Sequence, residues 1–384
     1  MGNYRVYISV CGEGFGHSSR ALAVAEELKK MGCEVFLGSY GYVYDYLKKQ
    51  KLCKVIKIPR EWKMRGKEGK FSVGKTFLST MKIILTKYRT LINKEKGIMK
   101  KNRINCVISD GRISPIIAGS YHLGLPLLFM TNMTTIRKRF LRKVERYLLS
   151  PSMGFLGKAG VVLLDEILIP DFPPPNDICH YLLAKNSNVK KRTSFVGPLV
   201  RKELYKSVPI KKKKTVLAVV GGHEYRRPLL ECVVKTARLC KDMNFTIISR
   251  LIERKTVEGN VKSLPFVKNL YPYMRASDLI ITQSGHSTVM EMLCFGKTGI
   301  LIPDKGQYEQ EAIARRAKEL KLCERITHDR LSPKTLTKKI DILLSDKSYK
   351  KNTQKLSKIA RKLNGPKKVA DMAIEYSSRM TMKY

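Results

Sequence analysis

What this chain lacks narrows its class first. Its nine cysteines are scattered with no CxxC pair, and Cys53, Cys106 and Cys294 sit inside apolar runs, where a thiol behaves as a small core residue. A disulfide or zinc framework is therefore not expected. The six histidines show no ligand spacing either. No apolar run reaches the roughly 18 residues of a membrane-spanning helix. With a strand-like run beginning at Tyr4, the expectation is a cytoplasmic protein without an integral anchor. There is no repeat of solenoid period, and no recognised nucleic-acid-binding module. Acidic residues are scarce, 32 against 75 Lys and Arg, leaving a formal charge of +43. That charge favours anionic partners: phosphorylated substrates, acidic membrane surfaces or nucleic acid. Lys-rich composition also accompanies adaptation to heat, and charge alone does not separate the two origins.

What is present is an alternation. Strand-like runs at Tyr4–Val10, Glu34–Gly38, Lys54–Ile58, Asn105–Ser109 and Pro126–Met130 are separated by helical patterns in the first half. In the second half come Thr215–Val220, Phe245–Ser249, Leu279–Thr282 and Thr298–Ile302. Such alternation predicts an α/β fold with parallel sheets covered by helices on both faces. A chain of 384 residues exceeds a comfortable single core. The break is placed at GPLVRKELYKSVPIKKKK (Gly197–Lys214), which combines two prolines with four consecutive lysines. The expected domains are 1–200 and 215–365, with a linker at 201–214 and a last helix, 366–384, packing back on the first domain. A long surface loop within one domain is the other reading of that segment.

The densest chemistry lies in SDLIITQSGHSTVMEMLCFGKTGILIPDKGQYEQEA, residues 277–312. The strand Leu279–Thr282 is stopped by Ser284, Gly285 and Ser287 before a helical run, Val289–Phe295. A helix start offers N–H groups and a positive dipole end, and glycine lets an anion approach the backbone, so a phosphate fits there. Glu291 follows in the first or second turn of that helix, where a carboxylate can accept hydrogen bonds from ribose hydroxyls. It can equally complement the helix dipole. Gly296 ends the helix, and Pro303 opens a loop carrying Asp304, Gln307 and Gln310. Side-chain amides suit sugar hydroxyls because they both donate and accept.

The first strand ends in Cys11-Gly12-Glu13-Gly14-Phe15-Gly16-His17, with Ser18 or Ser19 expected to cap the following helix. Gly12, Gly14 and Gly16 are candidates for a loop against an acceptor or a phosphate, although GxGxG is a common pattern. His17 stands where the loop meets the helix. An imidazole there can take a proton from a hydroxyl at neutral pH, or simply tie the loop together by a hydrogen bond. Asp110, after the strand Asn105–Ser109, is expected at the same sheet edge, either orienting His17 or forming an Asp-Gly turn.

The loop GEGFGHSSRALAVAEEL resembles the N-terminal signature of the MurG-like and monogalactosyldiacylglycerol-synthase-like glycosyltransferases. The stretch YPYMRASDLIITQSGHSTVMEMLCFGKTGILIPDKGQYEQEAIARR looks like their donor-binding signature. The whole chain is most similar to an archaeal branch of GT-B proteins. The resemblance implies two Rossmann-like domains facing a cleft, with acceptor bound by the first and nucleotide sugar by the second. It implies that Ser284, Gly285, His286 and Ser287 meet the donor phosphates, that Gly221 and Gly222 form a second diphosphate turn, and that Glu291 binds ribose. Gln307 or Gln310 would read the sugar, and His17 would be the base, supported by Asp110. Gln283, His286 and Glu311 depart from the family pattern.

The reaction so implied is an inverting hexosyl transfer from a nucleotide sugar, UDP-linked by analogy, with no metal or other cofactor. Between Arg60 and Arg103 there are fourteen basic residues against three acidic ones. Phe77, Leu78, Met81, Ile84, Leu85, Tyr88, Leu91 and Ile92 form one helical face, broadly opposite Lys75, Ser79, Lys82, Thr86 and Arg89. A second basic cluster is RKRFLRKVER, Arg137–Arg146. Either can lie on anionic lipid or be ordinary surface. The expected partners are a lipid or lipid-linked acceptor and an anionic membrane surface, not nucleic acid. A UDP-sugar epimerase of the same architecture, and a basic nucleic-acid-binding protein, are the alternatives.

Overall fold

The computed structural model describes residues 4–63, 66–67, 70–134, 161–183, 187–201 and 214–381. The cluster Arg137–Arg146 and all but the ends of the expected linker lie outside them. Packing divides the chain into two compact units: Met1–Met64 with Val73–Arg201 and Leu363–Tyr384, and Arg65–Ser72 with Lys202–Lys362.

The first unit is built on a seven-stranded sheet. Its strands are β1 (Arg5–Val10), β2 (Glu34–Ser39), β3 (Lys54–Lys57), β4 (Cys106–Asp110), β5 (Leu127–Met130), β6 (Glu166–Ile169) and β7 (Thr193–Phe195). They run β3-β2-β1-β4-β5-β6-β7, every neighbouring pair parallel. β4 and β5 are buried at every position, as expected of strands covered on both faces. Helices α1 (Phe15–Lys30), α2 (Gly41–Lys49) and α3 (Val73–Lys101) belong to this unit.

Two local expectations change here. α1 begins at Phe15, with Gly14 at its N-cap and no side-chain cap; the Ser18 hydroxyl instead donates to the Phe15 carbonyl inside the helix. Gly14 takes φ +122°, a conformation that disfavours a side chain, so the chain turns into the helix earlier than a serine cap would allow. In α3, Leu91 is fully buried but Leu78 is 63% exposed, so the apolar face does not extend intact to the start of the helix. The side chains of Phe77, Ile84 and Leu85 lie outside the described ones.

The second unit repeats the plan with β8 (Thr215–Val220), β9 (Asn244–Ser249), β10 (Thr256–Glu258), β11 (Val261–Leu264), β12 (Leu279–Thr282), β13 (Thr298–Leu301) and β14 (Cys323–Arg325). Their order is β10-β11-β9-β8-β12-β13-β14. The departure from an all-parallel sheet is β10–β11, an antiparallel hairpin at one edge. Helices α4 (Arg227–Leu239), α5 (Tyr271–Ala276), α6 (His286–Cys294), α7 (Tyr308–Glu319), α8 (Pro333–Ser345) and α9 (Lys347–Leu363) follow. α6 starts three residues before the expected Val289. The last helix, α10 (Gly365–Thr381), belongs to the first unit, where Val369, Ala370 and Ala373 join a core with Val6, Ile8, Ala21, Val24 and Leu28.

Candidate active site

In each sheet the strand order reverses between two central strands, β1 and β4 in the first and β8 and β12 in the second, so the connections leaving their carboxyl ends run to opposite sides and open a crevice. In the first unit the crevice lies after β1 and β4, which pair with Val10 beside Asp110. In the second it lies after β8 and β12, with Val219 beside Thr282. The residues singled out in the sequence gather at these two ends.

In the first unit His17 sits in the opening turn of α1, its Nδ1 at 2.8 Å from Asp110 Oδ1. A carboxylate only accepts, so the tautomer with Nδ1–H donates to Asp110 and leaves Nε2 a lone pair for a substrate proton; Arg20 Nη2, a donor, lies 2.9 Å from the same Nδ1 and would bond it in the other tautomer. Asp110 is fully buried and also receives Arg20, from Nε to Oδ2 at 2.7 Å and from Nη2 to Oδ1. Burial pushes the Asp110 carboxyl up, but Arg20 and then His17 outweigh it and hold it down at about 2. Gly111 turns at φ +67°, and a Cβ there would stand 3.1 Å from His17 Cε1. Gly12 lies against the Tyr40 ring, and Gly16 falls inside α1 rather than in the loop. Beneath this end Arg112, fully buried, bonds Glu61 at 3.1 Å, Glu95 at 2.5 Å and Ser9 at 2.8 Å. That network joins α3 and the segment after β3 to the end of β4.

In the second unit, β12 runs into Gln283, Ser284 and Gly285, the N-cap of α6. Ser284 takes φ +50°, unusual for a side chain larger than glycine, and its hydroxyl is buried without a hydrogen-bond partner among the described residues. The Gly221 N–H donates to Gln283 Oε1 at 3.0 Å, while Gln283 Nε2 is buried with no partner among the described residues. Buried polar atoms are normally satisfied, so a hydroxyl and an amide left open beside a helix start point to a ligand with acceptor oxygens. A Cβ at Gly221 would come within 1.9 Å of Arg226 Nη1, and one at Gly222 within 2.4 Å of Arg250 Cβ. His286 and Ser287 form the first residues of α6, His286 buried. Glu291 is buried in the second turn, where Tyr271 OH donates to Oε1 at 3.3 Å.

The two glutamines are held by their own loop. Gln310 Oε1 accepts from the Asp304 N–H at 2.7 Å, and Nε2 donates to Asp304 Oδ2 at 3.2 Å. Gln307 caps α7 by accepting from the Glu309 N–H. Asp304, fully buried, is gripped by Arg226 through Nε at 3.0 Å and through Nη2. Sequence reading missed Arg20 and Arg226. Arg20 had a signal, since three residues beyond His17 is the same helix face; Arg226 had none, because its partner lies 78 residues away.

Comparison with known proteins gives the fold and the family. The chain superposes on the glycotransferase of kitacinnamycin with a TM-score of 0.71 at 15% identity, covering 97% of this chain and 99% of that one. With two such α/β units, the fold is GT-B. Residues 216–371 match the glycosyltransferase family 28 C-terminal domain. An uncharacterized glycosyltransferase of Methanosarcina mazei is 30% identical over 383 residues, 96% of this chain and 97% of its own length. A Sulfurihydrogenibium UDP-N-acetylglucosamine--N-acetylmuramyl-(pentapeptide) pyrophosphoryl-undecaprenol N-acetylglucosamine transferase is 27% identical, over 92% of each chain. The chain belongs to this MurG-like family of GT-B glycosyltransferases and is an enzyme of that class.

Proposed function

We propose that the enzyme moves a hexose or N-acetylhexosamine from a UDP-sugar to a lipid or lipid-linked acceptor at the cytoplasmic face of the membrane, with inversion at the anomeric carbon. The observation that carries the donor half is the pair of open polar groups, Ser284 Oγ and Gln283 Nε2, beside the start of α6. The UDP and lipid-linked parts draw support from the activity for which the Sulfurihydrogenibium relative is named.

In this reading the second unit holds the nucleotide sugar. Ser284, Gly285 and the opening turn of α6, with Gly221 and Gly222, meet the diphosphate, and Glu291 meets the ribose. Gln307 or Gln310 reads the sugar; because Gln310 is tied to Asp304, Gln307 is the freer of the two to do so. His17 Nε2 accepts the proton of the acceptor hydroxyl as its oxygen bonds the anomeric carbon. The bond from that carbon to the β-phosphate oxygen breaks, its electron pair leaving with UDP. The helix dipole and N–H groups at the start of α6 stabilise that charge, so no metal is required.

Incubation with radiolabelled UDP-sugars and membrane lipids tests the reading. Label should pass to the lipid fraction with release of UDP, and EDTA should leave the rate unchanged. Epimerised free sugar nucleotide without labelled lipid would sink it in favour of the epimerase.

A further inference from the structure

Arg20 stands one helical turn beyond His17 and is 4% exposed. Its guanidinium forks onto both oxygens of Asp110, and Nη2 lies 2.9 Å from His17 Nδ1. Three ionisable groups thus meet within hydrogen-bond distance, one of each charge type around one imidazole.

The physical problem this arrangement solves is specific to a base. A bare carboxylate beside an imidazole favours the imidazolium, because an opposite charge at such distance shifts the equilibrium by about one to three pH units. An imidazolium has no lone pair and cannot accept a proton from a hydroxyl. An arginine is always charged, and its field at the ring opposes that of the carboxylate. The bidentate fork also fixes the plane of the carboxylate, and with it the direction of Oδ1.

We propose that Arg20 is a positioning and charge-balancing residue: it orients Asp110 so that Oδ1 receives Nδ1–H of His17, and it sets a positive charge against the carboxylate's negative one at the same side of the ring. The inference rests on the proposed base role of His17 only for its catalytic consequence. The remaining charged or titratable groups at this end do not replace Arg20. Glu13 is paired with Arg60 at 3.6 Å, the Cys11 thiol is pushed by burial up to about 11, and Arg112 is committed to Glu61 and Glu95. The low Asp110 pKa, reached against its burial, accords with a carboxylate that stays ionised while paired.

The test is the titration of one side chain in the full-length protein. With 15N-labelled histidine, a His17→Gln sample identifies the His17 signals among the six histidines. In the wild type the neutral ring should carry its proton on Nδ1. Arg20→Met should raise the His17 midpoint by about one pH unit or more, and Arg20→Lys should bring it back toward the wild-type value. Asp110→Asn, leaving Arg20 unopposed, should lower the midpoint below the roughly 6.5 of a free imidazole. An unchanged midpoint in Arg20→Met overturns the proposal. If that variant does not fold, a midpoint in Asp110→Asn at or above the wild-type value overturns it instead. No sugar or acceptor enters these measurements, so their failure is distinct from failure of the transferase reading.

Discussion

Ser284 Oγ and Gln283 Nε2 are buried polar atoms with no hydrogen-bond partner among the described residues. Leaving such atoms open costs stability in the free enzyme, and a ligand that fills them recovers it. Gln283→Ala and Ser284→Ala should each weaken UDP binding about tenfold by calorimetry, the scale of about 1.5 kcal/mol for a hydrogen bond to a charged group. Asp110 gives a second prediction at this scale. Its folded pKa, about 2, lies below the roughly 3.9 of an unfolded aspartate, so its contribution is fully present above that higher value. It is lost as pH falls from about 5 toward 2, a total of about 2 kcal/mol. Urea unfolding should therefore show wild-type stability falling more steeply over that window than Asp110→Asn; parallel slopes would contradict the assignment. The His17–Asp110 pairing was legible because both residues follow strands that end at one sheet edge. Its third member, Arg20, shares the helix face of His17 but was missed, because an arginine in a helix reads as surface until its partner is placed.

Elements carry these residues because short parallel strands stop in register and hand over to loops. The nine strands read from the sequence are all present, each within a residue or so of its expected ends; most are β-branched apolar runs buried on both faces, which leave a clear signal, while β3 is only half-buried between two exposed lysines. β6, β7, β10, β11 and β14 left weaker signals. Cys323–Arg325, for example, has three residues, two of them charged, and is held by its pairing with β13 rather than by its own composition. The Arg112 network shows how elements are fastened beneath the site. Arg112 draws together β1 through Ser9, α3 through Glu95 and the segment after β3 through Glu61. Burial pushes the Glu95 carboxyl up, and Arg112 opposes that. Arg112→Met removes the cation that pairs with both and leaves two buried carboxyls without it, a loss of about 3–5 kcal/mol by the behaviour of broken buried ion pairs. Thermal unfolding should show a clear fall in Tm. Adding Glu95→Gln to Arg112→Met should recover part of it, because the second change removes one stranded charge; additive losses would argue against the network acting as a unit.

At the scale of the whole molecule the sequence carries an excess of 43 positive charges, part of which lies on two helices that expose basic residues. α3 exposes Lys75, Lys82, Lys87 and Arg89 with Leu78 among them. α9 has no acidic residue and exposes Lys347, Lys350, Lys351, Lys355, Lys358 and Lys362. Among the described residues no helix is long and apolar enough to cross a membrane, so attachment by these surfaces would rest on charge, with Leu78 a minor apolar contribution. Each lysine near an anionic surface is worth about 1 kcal/mol, and the attraction decays within a Debye length of about 8 Å at physiological salt. Sedimentation with vesicles should therefore show binding to phosphatidylglycerol-containing bilayers but not to neutral phosphatidylcholine, lost as salt is raised to about 0.5 M. Replacing Lys75, Lys82, Lys87 and Arg89 with glutamine should weaken binding if α3 is the contacting face, and the equivalent change in α9 should leave it nearly intact. The reverse outcome would move the membrane contact to the unit proposed to hold the donor. Equal binding to neutral vesicles would assign the charge to stability or solubility instead.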